Sequence, residues 1–307
     1  MANNGLFVGL VTLDLIYLAE SGLRNNQKIV SADYTVAAGG PATNAAVTFA
    51  YLGNKAQILG VVGSHPMTQL IKSDLADCNV EIVDLDPTTE NPPSVSSIIV
   101  TQSTGERAVI SINAVKTQVN SKCIQPNIIQ NINSQNSQNS QNVNIILIDG
   151  HQMAVGYEIA QMAKSKNIPV VIDGGSWKPG FEKILPFVDY AICSANFYPP
   201  SCQNTQDVFH YLSCFGIPYI AITRSEKAIE YVNYQAINTI LTIEVPIITA
   251  IDTLGAGDIF HGAFCHYILY LDFSTALQEA AKIAAMSCQF FGTRRWMENT
   301  TSTAWRK

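Results

Sequence analysis

The stretch NIILIDG, residues 144–150, begins the region of the chain that decides the fold. Three similar apolar runs follow it, separated by helix-forming segments: PVVIDGG (169–175), VDYAICS (188–194) and PYIAITR (218–224). Near-continuous apolar strands that alternate with helices are typical of a parallel sheet covered on both faces. The sequence therefore predicts an α/β protein with three layers, in which a mostly parallel sheet lies between helices.

The N-terminal third departs from this pattern. GLFVGLVTL (5–13) predicts a buried strand that ends at Asp14, and a glycine-led helix follows Gly40. Segments near 27–37 and 94–113 instead alternate polar and apolar residues, as half-buried strands do. We expect them to form a small antiparallel β sheet, a lid beside the main sheet.

Length and composition favour one large domain over residues 1–307, because 47% of the residues are apolar and can bury a full core. The tract at 131–143, NINSQNSQNSQNV, is polar, uncharged and of low complexity. Such a composition buries too little surface to offset the entropy of ordering, so a surface loop is expected there.

Charge and cysteine usage exclude several classes of protein. A net charge of −6 offers no footprint for nucleic acid, and Arg294-Arg295 is the main basic pair. No apolar run is long enough for a membrane span, and the start lacks a signal-peptide pattern, so a cytoplasmic protein is expected. The seven cysteines form no CxxC pair, which argues against a disulfide framework and a zinc site.

The stretch AIDTLGAGDIFHGAF, residues 250–264, carries the chemistry. Apolar spacing predicts a helix that begins near Gly257 or Asp258, with glycines at its N-terminus. Free backbone N–H groups and the helix dipole there attract an anion. Asp258 could simply cap the helix, but Gly in a first turn costs roughly 1 kcal/mol relative to Ala, which indicates that something approaches closely. A carboxylate beside an anion site suits phosphoryl transfer.

Other motifs are absent or remain open. The GxxxxGK[ST] loop is missing, and GAGDIFHG does not fit GxGxxG. His261 and His266 point to different faces of the predicted helix, so they form no metal pair. Asp149 and Asp173 end neighbouring predicted strands, where each could hold metal-bound water or merely terminate its strand.

Two signatures together resemble the ribokinase-like (PfkB) carbohydrate kinases. D-T-L-G-A-G-D-x-F at 252–260 is similar to their C-terminal signature, and Gly39-Gly40-x-x-x-Asn44 before an Ala-rich helix is similar to their N-terminal signature. The opening VGLVTLDLI, residues 8–16, is closest to ketohexokinase-like members. The order of the signatures and the alternation of strands and helices match the family over essentially the whole chain.

The resemblance implies a ribokinase-like fold, ATP and Mg²⁺ as cofactors, and specific roles. Asp258 would be the catalytic base, and the N–H groups of Gly255, Ala256 and Gly257 would form the anion hole. Asp252 would lie near a monovalent-cation site, such as one for K⁺. The implied substrate-binding residues are Asp14, Gly39, Gly40, Asn44 and Arg107. The implied nucleotide-binding residues are Asn196, Thr223, Arg224, Ser225, Gly257 and Gly292.

The chain also departs from the family. The family's N-x-x-E reads Asn196 to Pro199, without the Glu, and its T-x-G-x-x-G reads Thr223 to Ala228, without either glycine. Pro41 stands where relatives that accept sugar phosphates often carry Lys, and Pro offers no cation to a phosphate. We therefore expect a neutral acceptor.

The expected function is ATP-dependent phosphorylation of a free sugar, fructose- or ribose-like. An adenosine-like nucleoside kinase is an alternative, because the same chemistry acts on a ribose hydroxyl. The altered nucleotide loops also allow a non-catalytic sugar or nucleotide sensor. We expect small-molecule partners, neither nucleic acid nor membrane, and the exposed strand edge of the lid favours a homodimer.

Overall fold

Each of the four apolar runs forms a strand in the computed structural model, which describes residues 2–20, 22, 26, 28–112, 118–133 and 142–298. The strands are β1 Asn4–Val8, β2 Thr12–Ala19, β3 Asp33–Gly39, β4 Lys55–Gly60, β5 Val80–Asp84, β6 Ser94–Thr101, β7 Arg107–Ser111, β8 Ile145–Ile148, β9 Val170–Gly174, β10 Tyr190–Ser194, β11 Tyr219–Arg224, β12 Lys227–Asn233 and β13 Ile237–Ile243. The α-helices are α1 Pro41–Tyr51, α2 Thr68–Asp77, α3 Pro126–Asn133, α4 Met153–Ser165, α5 Phe181–Ile184, α6 Thr205–Ser213, α7 Ala256–Tyr267, α8 Phe273–Ser287 and α9 Arg295–Glu298. Ser121–Cys123 and Leu185–Phe187 form short 3-10 turns.

The central sheet has nine strands in the order β13-β12-β11-β10-β9-β8-β1-β4-β5. The strands from β11 to β5 are all parallel, while β12 and β13 extend one edge as antiparallel strands. The carboxyl ends of the parallel strands meet at one edge, where such sheets bind ligands. The predicted α/β class is confirmed.

Helices cover both faces of this sheet. Alternate residues of β1 enter different cores: Phe7 packs with α1, α2, α7 and α8, whereas Leu6 and Val8 pack with α3 to α6. Strand alternation requires this division, since successive side chains point to opposite faces. The two apolar layers account for the near-continuous apolar character of the strands.

The first predicted strand was wrong in extent. Residues 5–13 divide between β1 and β2, and Asp14 lies inside β2 rather than after a strand of the central sheet. The chain leaves the central sheet at Gly9, where a Cβ would stand 2.1 Å from the carboxyl of Asp149. Both strands are largely buried, so the sequence stays apolar across the break between them and reads as one strand.

The second sheet has four strands in the order β3-β2-β6-β7. The segments predicted as lid strands, near 27–37 and 94–113, provide β3, β6 and β7, although residues 27 and 113 fall outside the described part of the chain. β2 is the strand that the prediction lacked, and it pairs antiparallel with β3 but parallel with β6. One face packs on Phe291 through Ile16, Ile98 and Val100, which places this lid sheet above the loop after α8.

The low-complexity tract begins as helix. Residues 131–133 belong to α3, where Ile132 is fully buried, so the loop expected from residue 131 starts later. Residues 134–141 lie outside the described part of the chain. Among the residues that the structure describes, no helix has both the length and the apolar character needed to cross a bilayer.

Candidate active site

The N-terminus of α7 is an open backbone cradle. Gly255 caps the helix with φ +72°, a left-handed conformation that favours glycine, and a Cβ there would lie 2.9 Å from Thr293 Cγ2. Gly257 is exposed, and a Cβ placed on it would meet nothing within 4 Å. The first glycine is required by the fold, whereas the second leaves space beside the first turn. The N–H of Ala256 there makes a long hydrogen bond of 3.4 Å to Thr253 O.

Asp258 follows this cradle and is held by α1. Asn44 donates a hydrogen bond from Nδ2 to Asp258 Oδ2 at 2.8 Å. The two helices can meet because Gly262 packs on the backbone of α1, where a Cβ would stand 2.3 Å from Ala45 O. Gly40, at φ +103°, starts α1 directly against the carbonyl of Leu10. The two sequence signatures therefore converge on one hydrogen bond.

Arg294 supports Asn44 from behind. Its Nη1 donates to Asn44 Oδ1 at 3.0 Å, and its Nη2 donates to Asp74 Oδ2 at 3.0 Å and to Ala38 O at 2.6 Å. The side chain is mostly buried. In the sequence this arginine stands out only as half of a basic pair, and no motif around it indicates that it fixes the amide of Asn44.

Asp14 lies on the inner face of the lid, close to the backbone of the glycine pair. A Cβ on Gly39 would stand 1.9 Å from its carboxyl, so only glycine fits there. Thr12 Oγ1 donates to Asp14 Oδ1 at 2.7 Å. Burial raises the pKa of Asp14, and hydrogen bonds from Thr12 and Ser96 oppose that rise. Ser94, buried on the neighbouring strand, has a hydroxyl without a partner.

The lid hairpin is fastened to the loop before α7. Arg107 donates from Nη1 to Thr253 O at 3.2 Å and to Thr253 Oγ1 at 2.9 Å, and Thr253 Oγ1 lies 3.2 Å from Gly105 O. Asp252 accepts N–H groups from Leu254 and from Gly292, each at 2.8 Å. These contacts bring Arg107, Asp252 and Gly292 to the cradle from three segments.

Asp258 has an unusual protonation equilibrium. Burial, and then the charge of Asp173, raise the pKa of Asp258 to about 7. The hydrogen bond from Asn44 and the charges of His261 and Arg107 act in the opposite direction. A carboxylate with a pKa near neutrality suits general base catalysis, since it is both available and basic enough to accept a proton.

Asp149 is a structural anchor. Its carboxylate accepts N–H groups from Leu10 at 2.9 Å, Ala42 at 3.2 Å and His151 at 2.8 Å. Burial opposes ionisation, but His151, Lys178 and these N–H groups together lower the pKa of Asp149 to about 2. It thereby ties the β1–β2 loop and the first turn of α1 to the central sheet.

The predicted nucleotide segments lie at the ends of β10 and β11. Asn196 is exposed, with its backbone N–H donating to Ser194 Oγ at 3.1 Å, and Pro199 leaves that loop without the family's carboxylate. Thr223, one residue before the end of β11, pairs with Ser194 of β10. Ser225 has φ +55°, so it occupies a left-handed position at the point where the resemblance predicts a glycine.

Arg224 is engaged within its own hairpin. Its Nη1 lies 2.6 Å from Glu230 Oε1, and Nε and Nη2 donate to Ala228 O at 3.0 and 2.8 Å. A guanidinium with these partners braces β11 against β12. The geometry therefore does not support Arg224 as a free ligand for phosphate.

The described part of the chain has no preformed cluster of metal-binding side chains. In the described part of the chain, no three His, Cys, Asp or Glu side chains cluster in a way that could hold a metal ion. Both carboxylate oxygens of Asp252 already accept backbone N–H groups. Burial raises the pKa of Asp252.

A carboxylate beside an open helix N-terminus, on an α/β fold with a β lid, is an arrangement suited to phosphoryl transfer. The family model of the pfkB family carbohydrate kinases matches residues 3–300, and the chain belongs to that family. It is thus a phosphotransferase of the carbohydrate-kinase class. A closer likeness to ketohexokinases stays a prediction.

Individual relatives are distant. The ribokinase of Bacillus subtilis is 20% identical over 293 residues, which cover 94% of both chains. The structure of Arabidopsis thaliana ribokinase complexed with ribose and ATP superposes with a TM-score of 0.74 at 19% identity, covering 95% of this chain and 94% of that one. Ribokinase from Thermotoga maritima gives a TM-score of 0.74 at 18% identity, covering 97% and 98%. These structures establish the shared fold.

Proposed function

We propose that this protein transfers the γ-phosphoryl group of ATP to a hydroxyl of a free sugar, with Asp258 as the catalytic base. The observation that carries the proposal is the position of Asp258, bonded to Asn44 beside the open cradle at Gly257. The Arabidopsis relative is described with ribose and ATP, which supports this pair of substrates.

The proposed reaction breaks two bonds and forms two. The O–H bond of the acceptor breaks, and its proton passes to the carboxylate of Asp258. The acceptor oxygen bonds to the γ-phosphorus, and the bond from that phosphorus to the β–γ bridging oxygen breaks, releasing ADP. The N–H groups of Gly255 and Gly257 stabilise charge on the transferred group, because they are fixed before the reaction. The N–H of Ala256 joins them by leaving its long hydrogen bond of 3.4 Å to Thr253 O.

Mg²⁺ fits this site as a companion of ATP. Mg²⁺ commonly keeps several waters and binds substrate phosphates with one or two carboxylates, so a complete protein cage is not needed. When bound, it neutralises phosphate charge. The residues of this chain position the acceptor and accept its proton. Asp252 as part of a monovalent-cation site is a separate proposal, which activation by KCl over choline chloride tests.

A neutral acceptor agrees with the charges at the start of α1. Pro41 supplies no cation, and Arg294 is occupied by Asp74 and Asn44. Asp14, with the neighbouring Thr12 and Ser96, provides acceptors and donors suited to sugar hydroxyls. We propose that Gly39, Gly40 and Asn44 complete this acceptor site.

Lid and nucleotide contacts complete the proposal. Arg107 joins the lid to the loop before α7 through Thr253, so the lid can exclude water during transfer. Asn196, Thr223, Ser225 and Gly292 are proposed to face the nucleotide, whereas we assign Arg224 to bracing the hairpin.

A lid-mediated homodimer is also proposed. Tyr17, Tyr34, Val36 and Ile110 share the outer face of the lid sheet, and Tyr34 and Ile110 are 66% and 61% exposed. A contiguous apolar face of this kind favours burial against a second copy. Light scattering of the wild type and of Ile110→Glu tests this, and a monomeric wild type would contradict it.

The decisive experiment is ADP release from ATP and Mg²⁺ over a panel of free sugars, sugar phosphates and nucleosides. We expect turnover with a free ketose or pentose, and none with Asp258→Asn. Preferred turnover of nucleosides would instead support the adenosine-like alternative. Thermal stabilisation by ligands without any ADP would support a sensor.

The stability of Asp258→Asn relative to wild type serves as a control for its folding. Because the pKa of Asp258 is raised in the folded state, ionisation of its carboxyl destabilises the protein as pH rises from about 4 to about 7. The variant should therefore be at least as stable as wild type at pH 8. An inactive but unfolded variant would not support the assignment, and an active one would overturn it.

A further inference from the structure

His261 lies on α7, about one turn after Asp258, and is only 4% exposed. Its Nδ1 is 2.7 Å from Gly257 O, and its Nε2 is 3.1 Å from Ile192 O on β10. Both ring nitrogens thus face carbonyl oxygens, which only accept hydrogen bonds. The proposed role of Asp258 as base does not explain why a buried imidazole lies between these two carbonyl groups.

A neutral imidazole carries one N–H, so one of these two contacts would place lone pairs against each other. The imidazolium form donates from both nitrogens and satisfies both contacts. Asp173, itself only 4% exposed, supplies the opposite charge, with Oδ2 3.4 Å from His261 Nδ1. Geometry and charge therefore both favour the protonated ring.

We propose that His261 is a buried imidazolium paired with Asp173, that it positions the first turn of α7 through the carbonyl of Gly257, and that its charge offsets the negative charge of Asp173 beside Asp258. The inference rests on the proposed function of Asp258. His261 acts as a positioning residue, since it reaches the cradle through the carbonyl of Gly257.

Charged and polar groups approach Asp258 from four elements, and the ion pair of His261 and Asp173 contributes two of them. Asn44 approaches from α1, Asp173 from β9, His261 from α7 and Arg107 from the lid strand β7. Arg294 and Asp74 lie behind Asn44 and balance each other. Near Asp173, Cys193 and Cys265 have thiol pKa values raised by burial, so both thiols are uncharged at neutral pH.

Asp173 and His261 act on Asp258 in opposite directions. The negative charge of Asp173 raises the pKa of Asp258, and the positive charge of His261 lowers it. A buried ion pair is often no more stabilising than apolar residues of the same size. Its presence beside Asp258 is explained if His261 holds the first turn of α7 and offsets the charge of Asp173.

The test is the pH dependence of kcat/KM for wild type, His261→Gln, Asp173→Asn and the double variant. We expect the midpoint of the acid limb to rise by about one pH unit in His261→Gln and to fall by about one in Asp173→Asn. The double variant should return near the wild-type midpoint. Ionisation of ATP is common to all four proteins and cancels in the comparison.

A direct measurement does not depend on activity or on the folding of variants. The ¹⁵N chemical shifts of the His261 ring in the wild-type protein should show both nitrogens protonated at pH 7. A neutral ring at pH 7 would overturn the proposal. So would midpoints in the two single variants that stay at the wild-type value or move in the same direction.

Failure of this inference is distinguishable from failure of the proposed function. If Asp258→Asn is inactive while the midpoints of the single variants do not move, the base assignment stands and the role of the pair is wrong. If Asp258→Asn retains turnover, the proposed function fails, while the ¹⁵N experiment still reports the charge of His261.

Discussion

Two regions of the site are built in different ways. One is the base side, formed by Asn44, Asp258 and Arg294, and the other is the nucleotide hairpin, formed by β11 and β12 around Ser225. Asp258 is fixed through Asn44, and Asn44 through Arg294, by contacts that span 214 and 250 residues of sequence. The hairpin around Ser225 is fixed by Arg224, whose partners lie four and six residues further along the chain. The first region keeps the family's signatures, whereas the second has lost them.

The difference shows which glycines of the family signatures the packing of this fold requires. On the base side, three of the four signature glycines are required by the fold, since a Cβ would meet Asp14 at Gly39, Leu10 at Gly40 and Thr293 at Gly255. On the nucleotide side, a local ion pair holds the turn without glycine. The cradle around Asp258 should therefore be sensitive to substitution, whereas the hairpin around Ser225 should be tolerant.

The largest expected effect is at Gly257, the one glycine of the cradle that the fold does not require. Gly257→Ala places a methyl group in open space where phosphate is proposed to approach. Turnover should fall by about 100-fold or more, comparable to the loss of an anion-hole donor. Stability should stay unchanged or rise by up to about 1 kcal/mol, because Ala favours helix.

Steady-state kinetics together with urea unfolding would separate these two effects. Full turnover in a folded Gly257→Ala protein would show that no group approaches this backbone closely. The comparison between the two regions would then lose its basis, since the cradle would be no more demanding than the hairpin.

Arg294 should carry the next largest effect. Arg294→Gln leaves the buried ends of Asp74 and Asn44 without their partner and should cost about 3 kcal/mol of stability, with loss of kcat as Asn44 loosens. Arg295→Gln is the matched control, because its bond to Asp33 lies at the surface and is worth much less. Equal losses in the two variants, measured by urea unfolding, would refute the network.

The sequence predicted the layers and the chemistry better than the connections between them. The alternation of apolar runs identified β8 to β11, and the spacing of Ile259 and Phe260 located α7, because both patterns are local. The split of residues 5–13 into β1 and β2 was missed, since two buried strands in succession read as one. No local pattern marks Arg294, whose role exists only once α1, β3 and the loop after α8 meet.

Asp149 allows a pH test of the base side, because it anchors the first turn of α1, the helix that carries Asn44. Its pKa is lowered to about 2 in the folded protein, so its contribution is full above about pH 4 and is lost as pH falls through about 2. Asp149→Asn should therefore lower stability at pH 7 by about 2 kcal/mol, and the difference should shrink toward pH 2. A difference that is independent of pH would show that the charge of Asp149 contributes nothing.

The smallest effect is expected on the nucleotide side, at Ser225. A residue other than glycine with φ near +55° is strained, and Ser225→Gly relieves this strain at the cost of a more flexible unfolded chain. The net gain in stability should be about 0.5 kcal/mol. Asn79→Gly is the control, since Asn79 has φ +57° and Asn tolerates that conformation better.

The KM for ATP of Ser225→Gly decides what the lost glycines mean. If the brace from Arg224 to Glu230 already holds the turn in the required shape, glycine adds only freedom, and KM should change less than about twofold. A KM that falls by about tenfold, equivalent to about 1.4 kcal/mol, would show instead that the serine side chain obstructs the nucleotide. In that case the two regions would differ in how well they are adapted to their ligand, and not only in how they are held.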